Sequence, residues 1–454
     1  MKHADLFDHF QRTLDPDRRR FLTGVGAAGL LGAAPVLIPS PAQAASQASP
    51  VRTQARIVIA GGGAAGLTAA SRLAAGLSGA TIVMIDAREQ HYYQPGFTLV
   101  ASGVKPQGYV VSKTADYVPQ GIEWIQDSVA EIDPESKRVV TSGGRSERYD
   151  FLIVATGMEL NYAAIDGMDP GRIGQNGLAS IYNGPQGAAD SWKALHAFTQ
   201  RGGVGVFGRP ASEMKCAGAP LKYTFLADDH LRRSSQRSNT EMVYMAPGKV
   251  LFSVPIVAEK LRMLFQERGI HINRDHVLKS IDLDRRIATY QHPGGTIEQG
   301  YDFIHVIPPM RAPAVVRNSP LPWTEGPYQA DGWIEVDRHT LRHARYPEVF
   351  AIGDVAGVPK GKTAASVKWQ TPVAVSHLIG DISGKASSER YNGYTSCPMI
   401  TRLGQAMLIE FDYQDNLITS FPGMIAPLEE LWISWVIKTV ALKPTYLSML
   451  RGRA

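Results

Sequence analysis

The stretch RIVIAGGGAAGLTAASRLAA, residues 56–75, decides the fold class of this chain. Its apolar start predicts a short buried strand, and its alanine-rich end predicts a helix. Between them Gly61, Gly63 and Gly66 form the pattern G-x-G-x-x-G. Glycines at these positions let a backbone approach a pyrophosphate, whose negative charge then faces the helix N-terminus.

The segment that follows completes the pattern. ATIVMID, residues 80–86, predicts a second buried strand, which ends at Asp86 twenty residues after Gly66. An acid at this distance can accept a hydrogen bond from the ribose of an adenosine. An isolated G-x-G-x-x-G is a weak signal, but here the strand, loop, helix, second strand and acid occur in the required order. The sequence therefore predicts an α/β dinucleotide-binding domain.

Two later segments indicate which dinucleotide is bound. YDFLIVATG, residues 149–157, is an apolar strand that ends in Thr156-Gly157, and YPEVFAIGDVAG, residues 346–357, ends its strand in Gly353-Asp354. Both resemble signatures of the flavoproteins with two dinucleotide-binding domains, the glutathione-reductase-like superfamily. The resemblance implies FAD as the cofactor.

The same resemblance implies roles for individual residues. Asp354 would bind the ribityl chain of FAD. A helix beginning near Lys362 and Thr363 would point its positive N-terminal end at the flavin ring, where a helix dipole stabilises negative charge. With the glycine loop, Asp86, Thr156, Gly157 and Gly353, these residues form the predicted cofactor site.

The second nucleotide domain departs from the usual pattern. GGVGVFG, residues 202–208, predicts a strand and a turn, but the chain continues as GRPASEMKCAGAPLK without a second G-x-G-x-x-G. This loop instead carries Cys216 between Lys215 and Lys222. Because a thiolate needs positive neighbours, the domain that would hold NADH in relatives is expected to hold a reactive thiol.

Composition excludes several classes of protein. The chain has 454 residues, 44% of them hydrophobic, and a formal net charge of +5, so it is an ordinary globular chain and no nucleic-acid partner is expected. It has only two cysteines, Cys216 and Cys397, too few for a disulfide framework or a four-cysteine zinc site. No metal site and no attached haem are expected.

The N-terminus reads as an export signal. DRRRFLTGVGAAGLLGAAPVLIPSPAQA, residues 17–44, has Arg18 and Arg19 before an apolar run and ends in Ala-Gln-Ala. This is the pattern of a twin-arginine signal with its cleavage site. A retained anchor is the alternative, but Pro35 and Pro39 break a run that is already short for a membrane span. Export by this route predicts a periplasmic protein that takes up its cofactor before export.

At the level of the whole mature chain the sequence resembles the sulfide:quinone oxidoreductases, of the branch that includes the mitochondrial enzymes. The segments that carry the resemblance are HYYQPGFTLVASG (91–103), KCAGAPLK (215–222), HVIPPMRAP (305–313), DGWIEVDRHTLRH (331–343), the G-D and K-T-A-A segments, and GYTSCPMITRLGQAMLIEFDY (393–413). The expected fold is α/β with two Rossmann-like domains and a C-terminal membrane-associated segment. The expected boundaries are a signal peptide at 1–44, a linker at 45–54, an FAD-binding domain split into 55–194 and 326–390, a second domain at 195–325, and a C-terminal quinone and membrane region at 391–454.

The resemblance also implies a mechanism. Sulfide becomes sulfane sulfur on an enzyme disulfide or persulfide, a cysteine thiolate passes an electron pair to the flavin, and reduced FAD passes two electrons to a membrane quinone. Cys216 matches the family cysteine beside the flavin, and Lys222 matches a basic residue near it. The family places a second redox cysteine directly after G-D, where this chain has Val355.

Three interpretations of the missing cysteine remain open. Cys216 works alone through a persulfide with an external acceptor such as sulfite, a thiol or a second sulfide. Alternatively, Cys397 substitutes if the fold brings it close, or the substrate is not sulfide. We favour the first on the sequence, because sulfur transfer needs a thiolate and an acceptor that need not belong to the protein. Cys397 is expected to pack as a small apolar side chain.

The last residues predict a surface helix. In PLEELWISWVIKTVALKPTYLSMLRGRA, residues 427–454, Leu428, Leu431, Trp432, Trp435 and Val436 recur at helical spacing. Lys443-Pro444 is expected to break this helix before a second short one. Tryptophans beside a basic tail suit an interfacial helix, and the resemblance places it on the periplasmic membrane surface near quinone. A helix packed on the protein's own core or on a second copy of the chain is the alternative, so homo-oligomerisation stays open.

Other functions fit parts of the pattern. The flavoprotein of a flavocytochrome c sulfide dehydrogenase would pass electrons to a cytochrome, although the tryptophan-rich C-terminus argues against it. An NADH:quinone reductase is disfavoured by the missing second glycine motif and by export. A non-catalytic, flavin-bearing sulfur-binding protein would explain the missing partner cysteine.

Overall fold

A computed structural model describes residues 49–423 and 425–453. The twin-arginine signal expected at residues 1–44 lies outside this range. The described chain forms one compact unit from Pro50 onward.

The elements follow in chain order. The strands are β1 (Val51–Arg52), β2 (Arg56–Ala60), β3 (Leu77–Ser78), β4 (Thr81–Ile85), β5 (Gln90–Tyr92), β6 (Val111–Lys113), β7 (Glu123–Ile125), β8 (Val129–Asp133), β9 (Arg138–Thr141), β10 (Ser146–Arg148), β11 (Phe151–Val154), β12 (Glu159–Leu160), β13 (Leu178–Ala179), β14 (Gly203–Gly208), β15 (Thr240–Met245), β16 (Ile270–Asn273), β17 (Val277–Asp282), β18 (Ile287–His292), β19 (Gly295–Gly300), β20 (Phe303–His305), β21 (Met310–Arg311), β22 (Ile334–Glu335), β23 (Val349–Ala351), β24 (Ala356–Gly357), β25 (Thr395–Arg402) and β26 (Gln405–Phe411). The helices are α1 (Ala64–Gly76), α2 (Phe97–Ala101), α3 (Gly184–Thr199), α4 (Ala219–Arg233), α5 (Pro255–Glu267), α6 (Ala314–Arg317), α7 (Ala364–Ser383), α8 (Trp432–Val436), a π-helix (Ile437–Ala441) and α9 (Leu442–Leu450).

The first large sheet is parallel and has the strand order β23-β11-β2-β4-β7. Its central strands read as continuous apolar runs because helices cover both faces of a parallel sheet; Ile57 to Ala60 are all fully buried. Strand β23 comes from the chain after the second domain and pairs with β11. This pairing brings the A-T-G segment and the G-D segment to the same edge of the sheet.

The second large sheet is also parallel, with the order β13-β20-β14-β15-β16. Helix α4 follows β14, as in a nucleotide-binding unit, and is buried along most of its length. The prediction of two Rossmann-like sheets is confirmed. Strand β13, which lies before residue 195, also belongs to this second sheet.

The hairpin β25–β26 packs against α4 and carries the second cysteine. Its tip is tied to the helix, since the Leu403 N–H donates to Asp229 at 3.0 Å. At its other end Cys397 and Met399 point toward Gly218, at the start of α4: a Cβ on Gly218 would lie 2.3 Å from the Cys397 sulfur. The hairpin is therefore held against the first turn of α4.

The C-terminal segment differs from the sequence prediction. Residues 432–450 run as α8, the π-helix and α9 without a break, so the expected break at Lys443-Pro444 is wrong. Pro444 is the third residue of α9, and proline is tolerated in the first turn of a helix. Within residues 49–423 and 425–453, no helix combines the length and the apolar character that crossing a membrane requires.

Candidate active site

The glycine loop after β2 leaves no room for a side chain at Gly61 or Gly66. Gly61 has φ = +107°, and a Cβ there would lie 2.5 Å from the carbonyl oxygen of Ala155. A Cβ on Gly66 would lie 1.7 Å from the carbonyl oxygen of Gly61. Gly63 is the N-cap residue of α1 and, having no side chain, makes no capping hydrogen bond. The first N–H groups of α1 therefore remain available to an anion.

Asp86 lies at this loop, as the sequence predicted. Its carboxylate accepts hydrogen bonds from the N–H of Gly62 at 2.6 Å and from the N–H of Arg88 at 2.8 Å, and it forms an ion pair with the Arg88 guanidinium. Burial disfavours the charged carboxylate, but the hydrogen bonds and charge of Arg88 outweigh it and lower the pKa of Asp86. The carboxylate is held ionised and aimed at the glycine loop.

The A-T-G segment supplies a free polar group. Among the described residues, the Thr156 hydroxyl is buried and has no hydrogen-bond partner. It lies beside the glycine loop, since a Cβ on Gly61 would come 2.9 Å from the Thr156 backbone nitrogen. Gly157 follows with φ = +71°. A buried hydroxyl without a partner is costly unless a ligand satisfies it.

The G-D turn is fixed by a residue that the sequence analysis missed. The N–H of Gly353 donates to Oε1 of Gln370 at 2.7 Å, and Gln370 is fully buried on α7. Asp354 is half-buried, and its carboxylate has no hydrogen bond or ion pair to another residue described in the structure. Burial raises the pKa of Asp354, while the charges of Lys215 and Lys362 oppose this shift. The carboxylate is thus left for a ligand.

Lys362 and Thr363 support the site from within the protein. The Lys362 amine donates to the carbonyl oxygens of Asp354 at 2.7 Å and Ala356 at 3.1 Å, and lies 3.6 Å from the centre of the Trp333 ring. Thr363 is the N-cap of α7, because its hydroxyl accepts from the N–H of Ser366 at 3.1 Å. Both residues lie where the sequence predicted, but their polar atoms bind protein groups.

Cys216 sits in a constrained loop. Its N–H donates to the carbonyl oxygen of Lys362 at 2.9 Å, which ties the loop to the G-D region. The Tyr182 hydroxyl donates to the carbonyl oxygen of Lys215 at 2.8 Å. Cys216 has φ = +50°, a conformation that costs a non-glycine residue about 1 kcal/mol or more. The surrounding bonds maintain this strained backbone.

A buried lysine joins the two cysteines. Lys222, on the first turn of α4, is only 2% exposed. Its amine lies 3.3 Å from the Cys216 sulfur and 4.0 Å from the Cys397 sulfur. Cys397 packs in the apolar core, as expected of a small apolar side chain. The fold also brings it close to Cys216, which is the condition of the second of the three interpretations. Its position depends on contact between β25 and α4, which cysteine spacing in the sequence does not reveal.

The two thiols differ in acidity. A hydrogen bond from Cys397 and the charge of Lys222 hold the pKa of Cys216 well below the usual thiol range, although burial opposes them. The same hydrogen bond and burial raise the pKa of Cys397. The two sulfurs raise the pKa of Lys222 against the effect of its burial. These directions favour a thiolate at Cys216, a thiol at Cys397 and an ammonium at Lys222.

A second buried lysine comes from the C-terminus. Lys438 lies on the π-helix, is 2% exposed, and donates to the carbonyl oxygen of Pro95 at 2.7 Å. Burial, with the nearby charge of Lys222, lowers the pKa of Lys438 to about 7, while the two cysteines oppose this shift. The sequence analysis missed Lys438, although a lysine within the apolar run WVIKTVAL was a visible signal. π-Helices are frequent at functional sites.

The two parallel sheets, the glycine loop, the unpartnered Thr156 and Asp354 groups and the adjoining thiols define an FAD-binding oxidoreductase with a thiol site in its second domain. Among known proteins, the family model described as pyridine nucleotide-disulphide oxidoreductase matches residues 55–187. The mitochondrial sulfide:quinone oxidoreductase of Dictyostelium discoideum is 35% identical over 403 residues, which cover 88% of this chain and 86% of that protein. The Mus musculus protein of the same name is 33% identical over 81% of this chain and 80% of its own. The chain belongs to the sulfide:quinone oxidoreductase family.

A solved structure supports the fold independently. The sulfide:quinone oxidoreductase from the hyperthermophilic bacterium Aquifex aeolicus matches with a TM-score of 0.73 at 20% identity. The match covers 88% of this chain and 92% of that one. At this identity the match establishes the fold alone.

Proposed function

We propose that this chain oxidises sulfide at Cys216 and passes the two electrons, through FAD, to a quinone. One observation carries the proposal: the Cys216 sulfur lies 3.3 Å from the buried Lys222 amine, in a loop bonded to the segment that supports the G-D turn. Membership of the sulfide:quinone oxidoreductase family supports the substrate and the acceptor.

The chain's own groups fit FAD. The glycine loop with Gly61, Gly63 and Gly66, together with Asp86, would hold the adenosine and pyrophosphate. Thr156, Gly157, Gly353 and Asp354 lie along the edge where the rest of the cofactor would bind. When bound, FAD supplies a two-electron acceptor that can be reoxidised in turn.

The protein's task is to keep a nucleophilic sulfur ionised at the cofactor. Lys222 stabilises the Cys216 thiolate, and its burial strengthens that interaction because little water screens it. Lys362 fixes the G-D turn through two carbonyl oxygens. The strained backbone at Cys216 keeps the sulfur in one orientation. These groups allow the thiolate to act as an electron-pair donor without rearrangement.

The C-terminal segment supplies the proposed route to quinone. Lys438 anchors the π-helix at the thiol site, and its neighbour Val440 is 57% exposed. An apolar ligand that reaches the segment from a membrane surface would therefore approach the site. We place the protein on the periplasmic face of the inner membrane, as the Arg18-Arg19 signal predicts, and leave its assembly as a monomer or homo-oligomer to measurement.

The test is steady-state turnover. Purified FAD-loaded protein is given sulfide and either decylubiquinone or cytochrome c without oxygen. Quinone reduction that depends on sulfide supports the proposal. Exclusive reduction of cytochrome c would favour the flavocytochrome alternative, and no reduction of either acceptor would refute sulfide oxidation. Replacing Arg18 and Arg19 by lysine should retain the protein in the cytoplasm, and unchanged export would refute the proposed route.

A further inference from the structure

We infer that the C-terminal helix α9 holds FAD in its site, with Tyr446 as a positioning residue for the cofactor. The inference goes beyond the proposed function, which gives the C-terminal segment only a route to quinone. It is drawn from two hydrogen bonds of α9, one to the helix that begins at the glycine loop and one to the strand that follows Asp86.

One face of α9 is buried against the FAD-binding domain. Tyr446, Met449 and Leu450 are buried, and their spacing of three and four residues places them on one side of the helix. Pro444 and Thr445 lie outside this stripe and are exposed. The buried stripe therefore turns toward the protein, where its side chains can fix the elements beneath it.

The C-terminal end of α9 is bonded to α1, the helix whose first N–H groups are the predicted pyrophosphate site. The Ser71 hydroxyl donates to the carbonyl oxygen of Leu450 at 2.6 Å. The helix ends there, and Gly452 follows with φ = +69°. A Cβ on Gly452 would lie 3.3 Å from the Cβ of Ser71. The end of α9 is therefore seated directly on α1.

The middle of α9 is bonded to the segment that follows Asp86. The Tyr446 hydroxyl lies 2.7 Å from Nε2 of His91 on β5, and the Tyr446 ring centre lies 4.9 Å from that of Tyr93. Burial and the charge of Arg88 lower the pKa of His91 to about 4. His91 is therefore neutral at pH 7, and it lies behind the Arg88 guanidinium that pairs with Asp86.

The charges around Tyr446 come from both halves of the predicted cofactor site. Burial raises the pKa of the Tyr446 hydroxyl, Tyr117 and Asp354 add to this rise, and the charge of Arg88 opposes it. Asp354 is the predicted ribityl ligand, and Arg88 pairs with the predicted ribose ligand Asp86. The hydroxyl of Tyr446 is thus within electrostatic reach of the groups expected at both sugar chains of FAD.

These contacts explain how a helix outside the glycine loop can retain the cofactor. FAD needs the first N–H groups of α1 and the Asp86 carboxylate in a fixed relation, because one would bind its pyrophosphate and the other its adenosine ribose. Helix α9 is bonded to both elements. Elements that are already held in place lose less conformational freedom when the ligand binds, so the affinity is higher. Tyr446 acts here through His91.

The test measures the affinity of the holoprotein for FAD. The protein is dialysed against FAD-free buffer with guanidinium chloride below its unfolding midpoint, and flavin fluorescence on each side gives the Kd. Tyr446→Phe keeps the ring and removes the hydroxyl, so its Kd should rise by about fivefold, the effect of one hydrogen bond. Tyr346→Phe is the matched control, because the Tyr346 hydroxyl donates to Glu135 at the surface. A Kd in Tyr446→Phe within about 1.5-fold of the parental value would overturn the inference.

A double-mutant cycle separates positioning from general stability. If Tyr446 acts through His91, Tyr446→Phe should change the Kd by less than about twofold when His91→Phe is already present. Additive effects would overturn this route. A purely structural role would lower the thermal unfolding midpoint at saturating FAD and leave the Kd and the visible circular dichroism of the bound flavin unchanged, which would also overturn the inference.

The second contact of α9 has its own variant. Ser71→Ala removes the donor to Leu450 and should raise the Kd for FAD by about threefold. An unchanged Kd would show that the bond to α1 does not help to retain the cofactor. No measurement here uses sulfide or quinone. A holoprotein that fails to oxidise sulfide would therefore refute the proposed function and leave this inference to the Kd values alone.

Discussion

The two loops that follow the strands β2 and β14 occupy corresponding places in their sheets but meet different partners. The first, residues 61–63, is short and leads directly into α1, and a side chain at Gly61 would collide with the backbone of Ala155. The second, residues 209–218, is longer. It places Cys216 beside Lys222, which lies in the first turn of α4. On the proposed function, the first loop holds a pyrophosphate and the second holds a thiolate.

The same strand–helix topology serves both anions. A helix beginning after a parallel strand presents free N–H groups and a positive dipole end. In the first domain no protein side chain covers these N–H groups, because the glycines leave room for the phosphates of a ligand. In the second, a lysine and a second cysteine fill the corresponding region, so the anion belongs to the protein.

Removing the thiolate should have the largest effect. Cys216→Ala should abolish reduction of the flavin by sulfide, with a loss of about a thousandfold or more, as is found when other enzyme nucleophiles are removed. FAD content should not change, because the first loop is untouched. Rapid-mixing measurement of the oxidised flavin band checks both. A variant that is bleached at a rate within tenfold of the parent would remove Cys216 from the mechanism.

Blocking the first loop should cost the cofactor. A Cβ on Gly66 would overlap the carbonyl oxygen of Gly61, so Gly66→Ala should retain less than about a tenth of the parental FAD. The ratio of flavin to protein absorbance measures it. Gly108→Ala is the matched control, because a Cβ there would meet no atom within 4 Å. Full FAD content in Gly66→Ala would contradict the assigned role of the loop.

Neutralising the cation of the second loop should shift its pH profile. Lys222→Met removes the charge that favours the Cys216 thiolate, so the thiol pKa should rise and the rate at neutral pH should fall by about tenfold for each unit of that rise. The loss should recover as the pH is raised. Lys193→Met, an exposed lysine on α3, is the control. An unshifted profile would show that Lys222 does not support the thiolate.

The two loops differ in how much of their structure and role the sequence predicts. The first loop and Asp86 follow from local spacing, because phosphate binding at a strand–helix turn is a local problem. The A-T-G and G-D segments and the FAD cofactor were indicated by their resemblance to the signatures of a flavoprotein superfamily. The thiol pair follows from neither. Cys397 reaches Cys216 only through the packing of β25 on α4, and Gly218 gives no sign in the sequence that a sulfur lies over it.

At the C-terminus, too, the sequence predicted a helix but not what it packs against. Its amphipathic spacing was visible, but Trp435 packs on the protein's own core with Leu99, Leu226 and Ile400. Pro444 looked like a helix break because the preceding π-helix could not be anticipated. Lys438 was the one available signal, since a lysine in an apolar helical run must find a partner when buried.

The smallest predicted effect concerns stability. Lys438 has a pKa of about 7 in the folded protein, against 10.5 when unfolded, so between these pH values the unfolded chain binds more protons. Stability should therefore rise with pH across this window. Lys438→Met should flatten that rise, with only a few-fold change in sulfide turnover. Thermal unfolding of the holoprotein at pH 7 and pH 9 checks it; an unchanged pH dependence would contradict the assigned cause.

The most direct test of the account is a single anaerobic mixing experiment on the oxidised, FAD-loaded protein. One equivalent of sulfide is added, the oxidised flavin band is followed, and decylubiquinone is added afterwards. In the parent we expect rapid bleaching that quinone reverses, and in Cys216→Ala we expect no bleaching. Bleaching that survives in Cys216→Ala would contradict Cys216 as the electron-pair donor, and no bleaching in the parent would contradict sulfide as the substrate.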